Sequence, residues 1–126
     1  MNESLNTIVG SRNSMGSGAI LAKKSILLIL SENEFGRTFI IDQPSVTVGR
    51  GTNSDFVIND PLISKEHFKV TCDDEDKYYI EDIDSKNGTF LNGKRITKKN
   101  RILYSDRIVA GTTILRFFHE EILENK

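Results

Sequence analysis

The chain has one cysteine, no tryptophan, two prolines and two histidines among 126 residues. A lone cysteine, Cys72, closes no intrachain disulfide and assembles no cysteine-based zinc site, so it reads as a small strand residue in a reducing, cytoplasmic protein. His67 and His119 have no carboxylates spaced around them in a ligand pattern, so no metal site and no cofactor is expected. Long apolar runs are also missing. The longest, SILLIL, is far short of the roughly 20 residues that span a bilayer, and the amino terminus lacks the basic start and apolar segment of a secretory signal. Nor does one sign of charge dominate: 17 basic and 18 acidic residues give a formal charge of -1 at pH 7. That balance exerts no global pull toward nucleic acid or an anionic membrane, and any charge-based function must be local. With 37% hydrophobic and 28% charged residues, the chain has the composition and length of one globular domain.

Residues 1–24, MNESLNTIVGSRNSMGSGAILAKK, are rich in Ser, Asn and Gly and hold no period, which reads as a flexible tail. From residue 25 to 118, short β-like runs alternate with turn signals. SILLIL, RTFII, SVTVG, DFVI, HFKVT, KYYIEDI, TFLNG, RILY, RIVAG and TTILRFF are separated by DDED, SKNG, NG and SD. This pattern predicts an antiparallel all-β sandwich or barrel and not a βαβ architecture. Alternation in HFKVT assigns Phe68 and Val70 to the core, whereas in KYYIEDI it leaves the facing open. The terminal HEEILENK, residues 119–126, loses the strand pattern and gains helix formers. It reads as the start of a linker helix toward an output domain, for which an enzyme such as a diguanylate cyclase is an analogy.

Three polar clusters lie in turns between strands, where a rigid β scaffold displays its working residues. VGRGTNSD ends a strand at Gly49 and presents the five-donor fork of Arg50. DPLISKEHFKV holds Ser64, Lys65 and His67. DSKNGTFLNGK contains two Asn-Gly pairs, each a tight-turn signal. Ser64 and His67 are the residue types of a hydrolase, but their opposite parity on entering a strand points them apart, and Ser64 is in no G-x-S-x-G elbow. Binding fits better. Arg50, Ser64, Lys65, Lys86 and Asn87 together offer a fork, a hydroxyl, ammonium groups and an amide, as a phosphate on a peptide requires. The stretch from 86 to 107 adds Lys94, Arg95, Lys98, Lys99, Arg101 and Arg107 against the single acid Asp106.

The order Gly49-Arg50, then Ser64-Lys65-Glu66-His67, then Asn87-Gly88-Thr89-Phe90-Leu91-Asn92-Gly93, set among short strands, resembles the forkhead-associated (FHA) domain. The resemblance covers roughly residues 25 to 118. It implies a β-sandwich of about eleven mostly antiparallel strands whose loops at one end bind phosphothreonine peptides without catalysis. By that resemblance Arg50 and Ser64 grip the phosphate, Lys65 adds a phosphate or backbone contact, and Lys86 and Asn87 hold the peptide main chain. Gly49, His67, Gly88 and Asn92 match positions that support the loops, with His67 tying them together. Leu62 stands where some members place an Arg that selects an acid three residues beyond the phosphothreonine, so here a small or apolar residue is expected.

Thr7, in LNTIVGS, is the one Thr of the tail and a candidate phosphosite. A flexible linker of about 16 residues reaches roughly 20–25 Å, so phosphorylated Thr7 can occupy the domain's own loops in the same molecule or a neighbour. The competing reading is a phospho-independent dimerisation or scaffold module.

Overall fold

The computed structural model describes residues 24–120. The tail and its Thr7 lie outside the described residues, as do residues 121–126 of the expected terminal helix. His119, assigned by sequence to that helix, instead ends the last strand, because it pairs with Ser25 across the sheet.

Two sheets form the sandwich. One has the strand order β2-β1-β11-β10-β7-β8 and the other β4-β3-β5-β6-β9. The strands are β1 Ser25–Ile29, β2 Thr38–Ile41, β3 Ser45–Gly49, β4 Phe56–Val57, β5 Phe68–Cys72 and β6 Tyr78–Asp82. They continue as β7 Thr89–Leu91, β8 Lys94–Arg95, β9 Asn100–Ile102, β10 Arg107–Ala110 and β11 Thr113–His119. All pairings are antiparallel except that of β3 with β4, where the loop 50–55 brings Phe56 back beside Val48. The expected all-β sandwich is therefore the observed fold.

Period-two alternation builds the core. Leu27, Ile29, Ile108, Leu115 and Phe117 of one sheet face Val46, Val48, Phe68, Val70, Ile80 and Ile102 of the other, all buried. Each such side chain contributes roughly 1.5–3 kcal/mol by leaving water. Phe39 stacks on Phe56 at 4.9 Å between ring centroids, and Arg37 covers the other side of Phe56 at 4.8 Å. KYYIEDI resolves the same way: Tyr78 and Ile80 point inward, and Asp82 follows them toward the loop end.

One buried carboxylate joins the sheets at that end. Asp60, in the loop after β4, is 1% exposed. Its Oδ1 accepts the Leu62 N–H at 3.0 Å, and its Oδ2 accepts the Thr112 N–H, the Thr112 hydroxyl and the Thr113 hydroxyl at 2.9, 2.8 and 2.7 Å. Four donors replace the water a buried carboxylate loses. They clamp the β4–β5 loop to the β10–β11 turn, where Gly111 adopts φ +59° and a Cβ would lie 3.0 Å from Oδ2.

Burial pushes the Asp60 carboxyl up, but the hydrogen bonds from Thr113, Leu62 and Thr112 outweigh it and hold the group below its ordinary 3.8. A depressed folded-state value stabilises the fold fully above the unfolded value, and the contribution disappears as pH falls through the folded one. Urea midpoints are therefore expected to stay level down to the region of 3.8 and to fall below it. Asp60→Asn should lose about 1–3 kcal/mol at neutral pH and show a shallower acid limb; an acid limb as steep as that of the wild type would contradict this role for Asp60.

Candidate functional site

Three loops meet at the Asp60 end: 50–55 after β3, 58–67 after β4, and 83–88 after β6. Backbone hydrogen bonds hold the first to the second, from Arg50 N–H to the Ser64 carbonyl at 2.9 Å and from Gly51 N–H to the Lys65 carbonyl at 3.0 Å. The Ser54 hydroxyl donates to the same Lys65 carbonyl at 2.8 Å. Contact is so close that a Cβ on Gly49 would lie 2.0 Å from the Lys65 oxygen. Only glycine fits, which gives the Gly49-Arg50 pair a steric reason.

Side chains hold the second loop to the third. Ser64 Oγ accepts the Lys86 N–H at 2.9 Å, and the Asn87 side-chain amide donates to the Leu62 carbonyl at 2.8 Å. His67 is fully buried between them. The Ser64 N–H donates to its Nδ1 at 3.0 Å, so Nδ1 is unprotonated and Nε2–H donates to the Gly88 carbonyl at 2.8 Å. Both ring nitrogens are thereby engaged with backbone. Neither faces the Ser64 hydroxyl, so the pair lacks the hydrogen bond on which nucleophile activation depends.

Asp82 braces the third loop from below. Its Oδ1 accepts the Ser85 and Thr89 hydroxyls at 2.5 and 2.6 Å, and its Oδ2 accepts the Ser85 N–H at 3.0 Å. The Ser85 hydroxyl oxygen in turn accepts the Gly88 N–H at 2.8 Å. Burial raises the Asp82 carboxyl, and the bonds from Ser85 and Thr89 outweigh it, leaving the group below its ordinary value. Gly88 sits at φ +88°, a backbone state that favours glycine.

On this braced backbone the polar ends stand outward. Arg50 is exposed, and its Nε donates to the Ile63 carbonyl at 2.9 Å, which aims the fork and leaves both terminal amino groups open. Lys65, Lys86 and Asn87 are exposed and Ser64 is half-buried. Because Ser64 Oγ receives the Lys86 N–H, its own hydrogen is available to donate outward. No carboxylate pairs with Arg50, Lys65 or Lys86 among the described residues. Leu62 stands beside them, 49% exposed.

The structure thus gathers Gly49, Arg50, Leu62, Ser64, Lys65, His67, Lys86, Asn87 and Gly88 at one end. Asn92 is elsewhere. With φ +52° and Gly93 at +89° it makes the β7–β8 turn, where its Oδ1 accepts the Arg107 N–H and its Nδ2 donates to Asp106, each at 3.0 Å. Sequence reasoning did not single out Asp60, Ser54, Asp82 and Ser85, which hold the loops. The Asp82-x-x-Ser85 spacing is the signature of a side-chain-capped turn, and Asp60-Pro61-Leu62 carries the local signal of an Asx-turn; the bonds of Asp60 to Thr112 and Thr113, and of Ser54 to Lys65, span longer separations and leave no local trace.

A family model described as the FHA domain matches residues 46–111. An oxoglutarate dehydrogenase inhibitor from Corynebacterium efficiens is 29% identical over 103 residues, which cover 81% of this chain and 70% of that one. A DNA damage response protein kinase from Saccharomyces cerevisiae is 38% identical over 79 residues, covering 57% of this chain and 15% of the kinase. The solved FHA domain of a Chlamydia trachomatis protein superposes with a TM-score of 0.74 at 26% identity, covering 78% of this chain and 99% of that one.

The double engagement of His67 generates a stability test. His67→Ala removes a buried ring and leaves the Ser64 N–H and Gly88 carbonyl without partners, for an expected loss of about 3–5 kcal/mol by urea denaturation. Amide exchange at Ser64 should accelerate. A loss below about 1 kcal/mol with the Ser64 amide still protected would show that the ring does not hold the loops.

Proposed function

The chain belongs to the FHA domain family, the domain being an interaction module and not itself an enzyme, and on that footing we propose that its three-loop end binds a phosphothreonine peptide. The observation that carries this reading is the arrangement of Arg50, Ser64, Lys65 and Lys86. Their donors stand open around a backbone that is already cross-linked, with no carboxylate paired to them among the described residues. A phosphothreonine brings about -1.5 to -2 charges and three acceptor oxygens at pH 7. The terminal amino groups of Arg50 match two of those oxygens bidentately, the Ser64 hydroxyl donates to one, and the two ammonium groups supply charge. Asn87 uses one amide hydrogen to fix Leu62 and keeps its carbonyl oxygen for the peptide main chain. A divalent phosphoryl group fits this donor set better than a carboxylate, which offers too few acceptors and half the charge.

The tail supplies a ligand of the right chemistry. Phosphorylated Thr7 is followed by Ile8, Val9 and Gly10, so a small residue lies three positions on, beside the exposed Leu62. In this reading the chain recognises its own modified tail, in one molecule or between two, and thereby regulates a linked or partner protein.

Titration by calorimetry tests both levels. A peptide containing phosphorylated Thr7 should bind the full unphosphorylated chain with Kd on the order of 1 μM, about -8 kcal/mol, and more weakly in high salt. Arg50→Ala should lower the affinity tenfold or more, as the loss of about 1.5–3 kcal/mol from charged hydrogen bonds predicts. Equal binding of the unphosphorylated peptide, or indifference to Arg50→Ala, would sink the tail reading. Failure of a phosphothreonine library as well would sink the phosphopeptide reading, and self-association untouched by Arg50→Ala would favour a scaffold module in its place.

A further inference from the structure

Beside the phosphate-type donors lies a second cationic feature. β8 is the last strand of one sheet and β9 the last of the other. Between these two edges opens a cleft of about 420 Å³, walled by Lys94, Arg95 and Lys98, with Leu91, Ile96 and Asn100 among its other lining residues. Ile96 is buried and supplies an apolar floor, while the three cations are exposed. None of the three forms an ion pair among the described residues. Asp106, the first acid in sequence after the cleft, is engaged by Asn92 Nδ2 and by the Leu103 N–H at 2.8 Å. Their neighbour Lys99 is turned away, 5.1 Å above the Tyr79 ring.

The cleft adjoins the three-loop end. A Cβ on Gly88 would lie 2.7 Å from Arg95 Nε, so the guanidinium rests against the backbone next to Asn87. The Ile96 N–H donates to the Thr89 carbonyl at 2.9 Å, which keeps the chain after β8 beside the start of β7. Among the described residues β8 pairs only with β7, so the outer edge of Lys94–Arg95 keeps open backbone donors and acceptors. Arg95, the β8 edge and the basic cleft therefore lie together next to the loop end.

We propose that this cleft binds an acidic stretch flanking the phosphothreonine of the same peptide, an inference that rests on the phosphopeptide reading above. Aspartate or glutamate side chains, or a second phosphorylated residue, supply the shared chemistry of closely spaced anionic oxygens. Three cations converging on a concavity with an apolar floor suit a short side-chain cluster. The confinement of these unpaired cations to one cleft of about 420 Å³ and the near-zero net charge of the chain disfavour a nucleic-acid backbone, which spreads its charge over a long basic face.

The test uses the full chain and phosphothreonine peptides with alanine flanks, into which pairs of Asp, or one phosphoserine, are stepped along either side. One set of positions should tighten binding about fivefold, as two exposed ion pairs allow, and the gain should shrink with salt. Lys94→Gln/Lys98→Gln should abolish the gain and leave affinity for the alanine-flanked peptide unchanged. Aspartate and phosphoserine compared at the same position distinguish the two sources of charge. No position-dependent gain, or a gain that survives in the double variant, overturns the inference while leaving the phosphopeptide reading intact. Absence of all phosphorylation-dependent binding in the wild type removes both. A single-stranded oligonucleotide that binds the wild type and not the double variant would assign the cleft to nucleic acid instead.

Discussion

The two hydrogen bonds of the His67 ring set the geometry of everything at the loop end. A loop that leaves a sheet carries backbone groups with no strand to satisfy them, and burying those groups unpaired costs about 1–3 kcal/mol each. An imidazole can accept on one side and donate on the other, and so it meets two such needs at once across two loops. The Ser64 N–H and the Gly88 carbonyl are 24 residues apart in sequence yet held by one ring. It acts together with the Lys86 N–H bond to Ser64 Oγ and the Asn87 amide bond to the Leu62 carbonyl, which join the same two loops nearer the surface.

Around that ring the polar residues divide by depth. Those below the surface are taken up by neutral groups of the loops themselves: Asp60 by the β10–β11 turn, Asp82 by the Ser85 and Thr89 hydroxyls, Ser54 by the Lys65 carbonyl. The cations above them point at nothing acidic within the described residues. The division has an electrostatic consequence. The carboxylates keep their charge, but their oxygens are committed to neutral donors and none forms an ion pair with Arg50, Lys65 or Lys86. A chain with a formal charge of -1 can in this way keep one end positive.

Much of this was legible in the sequence because it rests on local rules. Alternation located the core residues Phe68 and Val70, and turn residues separated the runs. The Arg50, Ser64 and Asn87 neighbourhoods stood out because Gly and Asn-Gly mark backbone states few residues adopt. Strand β8 did not stand out, since Lys94 and Arg95 are both exposed and show no alternation. The facing of KYYIEDI stayed open because Tyr and Ile occur on both parities, and the burial of Tyr78 and Ile80 against the other sheet decides it. His67 looked catalytic by residue type, and parity set it apart from Ser64. What parity could not reveal is that the imidazole bonds to the Ser64 backbone and not to its hydroxyl.

On the phosphopeptide reading proposed above, the same contrast explains how such a surface would bind selectively with few residues. A free Arg or Lys on a surface loop loses side-chain entropy on contact, and an exposed ion pair returns little more than that loss. Here the Arg50 fork is already restrained by its Nε bond to the Ile63 carbonyl, and the Ser64 oxygen by the Lys86 N–H. Restraint lowers the ordering cost of binding, so more of each charged hydrogen bond appears as affinity. It also narrows what can bind, because donors fixed in position favour a compact, multiply charged acceptor over a dispersed one. Lys94 and Lys98 are exposed and form no ion pair among the described residues. A surface of that kind adds charge attraction without strict geometry, and so complements the restrained donors beside it.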